Sequence, residues 1–217
     1  PIARYEMKTE DKNKTNESLS ASRFQVEGGY FSMHAQDKDT SPKIIALTGR
    51  VFNWWDNNGI EGSIKSKVAS ASSETSQVPS PLQLEARYHR RWNLPFNLLS
   101  ASGGTQFSLI AGYEYYRNST PGYSPGYDLL KTGFSVDFPV LKKWDTGGEI
   151  LYGYGLDQST KYEIAGHIDY YPQINWSIGL GYKVHLFQAG SDKSAPAMGV
   201  PYREGYGEAY SALRWHY

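Results

Sequence analysis

The chain has 217 residues, and its 22 Lys plus Arg are matched by 22 Asp plus Glu. That length suits one substantial domain, and the balanced charge gives no long-range field to recruit nucleic acid or an anionic surface. The absence of cysteine removes disulfides, thiol nucleophiles and cysteine-based metal sites, and the lack of any uninterrupted apolar stretch of ~18 residues excludes a transmembrane helix.

A spanning β-barrel survives that exclusion, because half of each of its strands is polar. The 18 Tyr, 6 Trp and 22 Gly, set against only 3 Met, are a strand-forming composition. A soluble β-sandwich or lipocalin-like barrel would share it, so composition alone leaves both open.

Residues 1–21 read as an N-terminal segment or connector. Glu10 to Glu17 is charged and rich in Asn and Lys, with no apolar face. Ala3, Tyr5 and Met7 alternate with Arg4, Glu6 and Lys8 and would supply a further strand. Pro1 is a poor residue to follow a signal-peptidase cut, so the mature protein is expected to begin upstream of it, with this chain as its C-terminal part.

From residue 22 to residue 217, ten segments alternate apolar and polar residues over ~10 positions or more, each bounded by turn chemistry. They run Ser22 to Ala35, Lys43 to Trp54, Ile60 to Ser70, Leu82 to Trp92, Thr105 to Tyr116, Asp128 to Phe138, Thr146 to Leu156, Thr160 to Tyr171, Asn175 to Gln188 and Gly205 to Tyr217. The apolar stripe is continuous in Leu82, Leu84, Ala86 and Tyr88, for example, and in Trp176, Ile178, Leu180, Tyr182, Val184 and Leu186. Many such stripes in succession, with hairpin-length connections and no helical stretch between, predict an all-β, antiparallel up-and-down barrel of about ten strands, with eight or twelve as alternatives. Gly28-Gly29, Gly103-Gly104 and Gly147-Gly148 read as bends or bulges in a curved sheet, and none of them as a phosphate-binding loop.

The last segment is the most informative. Ala209, Ser211, Leu213, Trp215 and Tyr217 share one parity, while Glu208, Tyr210, Ala212, Arg214 and His216 share the other. This pattern resembles the closing strand of Gram-negative outer-membrane β-barrel proteins, which typically ends in an aromatic residue with apolar residues at every second position before it. The resemblance implies a transmembrane barrel in the bacterial outer membrane with its C-terminus facing the periplasm, and a periplasmic location for residues 1–21. It also implies that Ala209, Leu213, Trp215 and Tyr217 are an assembly signal for the barrel-assembly machinery.

With that orientation, the connections around Gln36 to Pro42, Ala71 to Pro81, Arg117 to Tyr127, Asp157 to Ser159 and Ala189 to Glu204 lie outside, and the shorter turns lie mostly inside. Trp54, Trp55, Trp92, Trp144, Trp176 and Trp215 then all fall at inner strand ends or in inner turns, as an aromatic girdle would. Tyr115, Tyr116, Tyr154, Tyr162 and Tyr206 are expected to form the other rim.

The parity opposite the apolar stripes is charged. Its cations are Arg23, Arg50, Lys65, Lys67, Arg87, Lys131, Lys161, Lys183 and Arg214. Its anions are Glu27, Glu61, Glu85, Glu114, Asp137, Glu149, Glu163, Asp169 and Glu208. Barrels of about eight strands fill their interior with side chains and open channels belong to about sixteen, so ten strands with nearly balanced charge predict a lumen crossed by salt bridges.

One set of residues has the chemistry for hydrolysis. His167 and Asp169 share a strand face, and a hairpin turning at Pro172, Gln173 and Ile174 would place Ser177 opposite Asp169. A serine, a base to take its proton and a carboxylate to orient that base are what nucleophilic hydrolysis requires. A hydrogen-bonded lumen network uses the same residue types. His89 and His185 face inward on strands that are not neighbours, and the five His show no metal-ligand spacing.

The function expected is a non-enzymatic barrel with a largely filled lumen, serving as membrane anchor or interaction platform in an envelope complex. A narrow channel or substrate-specific porin, and an outer-membrane lipid hydrolase or protease, are the alternatives. Expected partners are outer-membrane lipid, the assembly machinery and other envelope proteins, met through loop residues Tyr123, Tyr127, Pro196, Met198 and Tyr202; no cofactor, metal or nucleic acid is expected.

Overall fold

A computed structural model describes residues 22–35, 43–70, 80–94, 104–119, 126–141, 143–173, 175–190 and 203–217. The expected N-terminal strand at Ala3 to Met7 and loop residues Tyr123, Pro196, Met198 and Tyr202 lie outside these. The described residues form ten strands: β1 (Arg23–Ala35), β2 (Lys43–Trp55), β3 (Asn58–Ser70), β4 (Ser80–Leu94), β5 (Thr105–Ser119), β6 (Gly126–Leu141), β7 (Trp144–Gly155), β8 (Thr160–Gln173), β9 (Trp176–Gln188) and β10 (Arg203–His216).

Each strand pairs antiparallel with the next, and β10 pairs with β1 from Arg23↔His216 to Ala35↔Glu204, which closes the barrel. Closure with ten strands excludes the counts of eight and twelve. A closed barrel satisfies every strand edge, the condition an apolar solvent imposes on a sheet.

Side chains alternate across the wall. On the outside stand Ile45, Leu47 and Val51 of β2, Ile164 and Ile168 of β8, and Ile178, Leu180 and Leu186 of β9, all exposed. On the inside, Thr48, Glu61, Lys65, Glu85 and Arg87 are buried. An exposed apolar belt around a buried charged interior reverses the arrangement of a water-soluble sandwich and matches a barrel wall facing lipid.

One rim carries the start of β1 and the end of β10 and is termed the terminal rim. Ser22 O accepts from Tyr217 N at 2.9 Å there, and Ser22 Oγ accepts from Trp54 N at 3.0 Å, so both ends of the barrel chain are tied together. At the same rim β2 turns into β3 through Asp56 and Asn57, and Asp56 adopts a left-handed φ of 51°, which Asp tolerates better than most residues.

Two of the three glycine pairs are not bulges, and Gly103 of the third lies outside the described residues. Gly28-Gly29 and Gly147-Gly148 pair in register, whereas the ladder shifts between Ile45 and Ala46, between Pro139 and Leu141, and between Tyr170 and Gln173. The inward member of each pair makes room instead: a Cβ on Gly29 would fall on the Glu208 carboxylate, and one on Gly147 on that of Asp137.

Candidate functional site

The lumen is built by inward residues from all ten strands and is layered along its axis. At the rim opposite the termini, Tyr116, Tyr127, Leu129, Phe187 and Ala189 form an apolar cluster, with Tyr127 and Phe187 ring centroids 4.6 Å apart. Ile44, Ala46 and Tyr206 form a second cluster. Tyr116 Oη donates to Glu204, and the His185 ring stacks on Tyr206 at 4.3 Å. Aromatic side chains are thus packed on the inward faces at this end of the barrel.

Below that cap the charges interlock. Lys131 Nζ lies 2.6 Å from Glu85 and 2.7 Å from Glu114, and it also binds Glu163. Lys161 binds Glu114 and reaches Glu163 at 3.1 Å. Three buried carboxylates are thus gathered around two buried ammonium groups, and Arg87 brings a third cation to Glu85. His185 Nδ1 is 2.8 Å from Glu163, and Lys65 Nζ is 2.5 Å from Glu208.

Arginine organises the next layer. Arg87 contacts Glu85 at 2.7 Å and Glu149 at 3.1 Å, and Arg50 binds Glu61 and lies 3.5 Å from Glu27, whose other oxygen takes Lys183 at 2.7 Å. Planar guanidinium groups suit this role because several N–H donors leave in fixed directions toward different carboxylates.

Toward the terminal rim a polar cavity of about 90 Å³ remains, lined by Arg23, Glu27, Arg50, Trp54, His167 and Arg214 among others. A second void of about 20 Å³ lies among Lys65, Glu85, Arg87 and His185. Arg214 binds Asp169 and donates through Nε to Gln25 at 2.7 Å. Gly179 leaves the space for that pair, since a Cβ there would meet both side chains.

The structure therefore brings Arg50, Lys65, Arg87, Lys131, Lys161, Lys183 and Arg214 to carboxylate partners inside the lumen. Arg23 lies over the Phe52 ring at 5.2 Å, and Lys67 is half-buried near the end of β3. Arg91, Asp145 and Glu204 are buried in the lumen as well. Sequence reasoning missed them: Arg91 shares the parity of Arg87 and His89, while Asp145 and Glu204 each precede the expected strand start by one residue.

Ser, His and Asp do not assemble into the expected trio. His167 Nε2 lies 3.6 Å from Asp169 and 3.3 Å from Asp137, but Ser177 Oγ lies 3.1 Å from His216 Nε2 instead. The reason is register: β8 continues to Gln173, which pairs with Trp176, so the turn comes later than expected and Gly179, not Ser177, faces Asp169. Ser177 is wholly buried.

Four aromatic placements also differ from expectation. Trp54 points into the lumen, where its ring lies 4.1 Å from the Arg91 guanidinium and 4.7 Å from Phe52. Trp55, Trp92, Trp144 and Trp215 are exposed on the outside, and Trp176 is half-buried opposite Trp215. Tyr116 and Tyr206 face inward rather than forming an outer rim, whereas Tyr154 and Tyr162 are exposed. Tyr127 is fully buried in the cap and unavailable to a partner.

No family model matches the chain, and no curated protein sequence matches it. Among solved structures it is similar to the outer membrane protease OmpT of Escherichia coli, at 10% identity over 91% of this chain and 97% of that one, with a TM-score of 0.50. Neisserial surface protein A matches at 10% identity over 90% of this chain and 97% of that one, with a TM-score of 0.48. The likeness to OmpT speaks for fold alone, and together with closure, strand number and the apolar outer belt it gives this chain the architecture of an outer-membrane β-barrel.

Proposed function

We propose that this chain is an outer-membrane β-barrel that acts without catalysis, as a membrane anchor or interaction platform in an envelope complex, with its terminal rim in the periplasm. The observation that carries the reading is the packed lumen. An aromatic cap and cross-lumen ion pairs occupy much of the interior, beside cavities of about 90 and 20 Å³ among the described residues. A conducting pore needs a continuous wet path, and side chains that meet one another across the lumen support the filled reading instead.

The outward belt supports insertion in lipid, and the exposed tryptophans at the terminal rim support one interface there. Ala209, Leu213, Trp215 and Tyr217 are the segment offered to the barrel-assembly machinery, and other envelope proteins are the proposed partners. The test is single-channel recording in planar bilayers. No steady open current is expected, and a steady current would replace this reading with that of a narrow channel, for which the polar cavity at the terminal rim would be the vestibule.

A further inference from the structure

On the outward faces of the described strands, the charged residues are Lys43, Arg90, Arg117, Asp128 and Arg203. Four of them stand toward the rim opposite the termini. Arg90 alone stands at the terminal rim, level with the turn of β2 into β3 through the register Asn58↔Arg90. Its neighbours are fixed: Arg90 Nη1 donates to Asn58 Oδ1 at 2.8 Å, Tyr88 Oη donates to the same oxygen at 2.5 Å, and the guanidinium lies 6.0 Å from the Trp92 ring. Trp55 follows on β2, paired with Asn58.

Lumen cations such as Arg87 and Lys131 each meet carboxylates. Arg90 meets none among the described residues, and one amide oxygen leaves most of its donors directed outward. A guanidinium held in an aromatic belt at the edge of the hydrocarbon is stabilised by an anion at headgroup depth. The fork geometry fits the two free oxygens of a phosphodiester, and a headgroup with no cation of its own, as in phosphatidylglycerol and unlike phosphatidylcholine, leaves that phosphate's charge for Arg90 to meet.

We propose that Arg90, oriented by Asn58 and Trp92 and flanked by the Tyr88 hydroxyl, is a docking site for the phosphodiester of an anionic phospholipid in the leaflet beside the terminal rim. The proposal rests on the outward face meeting lipid, as the proposed function holds.

The test uses the full chain refolded into vesicles of phosphatidylcholine containing a minor fraction of phosphatidylglycerol, then extracted and weighed with its retained lipid by native mass spectrometry. Failure to enter the vesicles, read from the heat-modifiable mobility of the folded barrel, would overturn the membrane reading itself. For a barrel that enters, retention of phosphatidylglycerol over phosphatidylcholine is expected, and Arg90→Ala should reduce it about fivefold, the contribution of one basic residue near an anionic surface. Arg90→Lys should keep part of the preference. Equal retention of both lipids by the unmutated barrel, or an Arg117→Ala variant that loses as much as Arg90→Ala, would overturn the site.

Discussion

Lys65 Nζ on β3 lies 2.5 Å from Glu208 Oε2 on β10, although β1 and β2 stand between those strands in the wall. The contact is a chord across the lumen and joins residues 143 positions apart. Lys65→Met and Glu208→Gln should each destabilise the barrel, and the double variant should lose less than their sum. The coupling expected is about 1–3 kcal/mol, the range of contacting pairs in double-mutant cycles. Unfolding in urea checks it, and additive losses would show that the chord contributes nothing of its own.

Lys131 binds three carboxylates at once. Replacing it with Met keeps the volume and removes the charge, leaving Glu85, Glu114 and Glu163 short of a cation. Breaking a buried ion pair from one side costs about 3–5 kcal/mol. The urea midpoint of Lys131→Met should fall accordingly, and any current this variant passes in a planar bilayer should favour cations. A midpoint equal to that of the unmutated barrel would contradict the role assigned to Lys131.

Gly28 and Gly29 are neighbours with opposite exposures. A methyl at Gly29 would land on the Glu208 side chain, which Lys65 holds in place, whereas one at Gly28 would meet only Ser211 Oγ, at 4.0 Å. Gly29→Ala should cost about 1–3 kcal/mol by overpacking, and Gly28→Ala should be neutral or stabilise by a few tenths. Thermal unfolding of the two variants compares them directly, and equal melting temperatures would refute the space-filling account.

Orientation can be read from two exposed turn residues. Leu156 lies in the β7–β8 turn and Asn57 in the β2–β3 turn at the opposite end. The chain has no cysteine, so Leu156→Cys and Asn57→Cys each add a single label site. On intact cells a membrane-impermeant maleimide should modify position 156 and spare position 57. The reverse pattern would turn the barrel over.

The strands were legible because a barrel wall has a face of each kind, and a period of two survives in sequence. Parity also put Glu61, Lys65, Glu85 and Arg87 on the polar side of β3 and β4. Parity cannot say which charge meets which, because a chord such as Lys65 to Glu208 depends on curvature and closure that no single strand encodes. Trp54 and Trp55 show the same limit at short range: both read as girdle residues by position, yet adjacent residues must face opposite ways. Ser177 escaped for a different reason. β8 runs on to Gln173, which pairs with Trp176, so the chain turns later than Pro172 to Ile174. The irregularity between Tyr170 and Gln173 recovers only one residue of that offset, Asp169 faces Gly179, and Ser177 meets His216.

β1 and β10 are the one neighbouring pair with no hairpin between them, so nothing local aligns their seam. A slip of one residue would turn Glu208 and Arg214 outward into hydrocarbon and abandon Lys65 and Asp169 inside. A slip of two would keep the faces but displace each charge by about 7 Å, too far for its partner. Lys183 with Glu27 and Arg214 with Gln25 impose the same condition from β9 and β10 onto β1. The polar filling thus works as a gauge for the final zipping of the wall: wrong seams leave charges stranded, and one alignment satisfies them together.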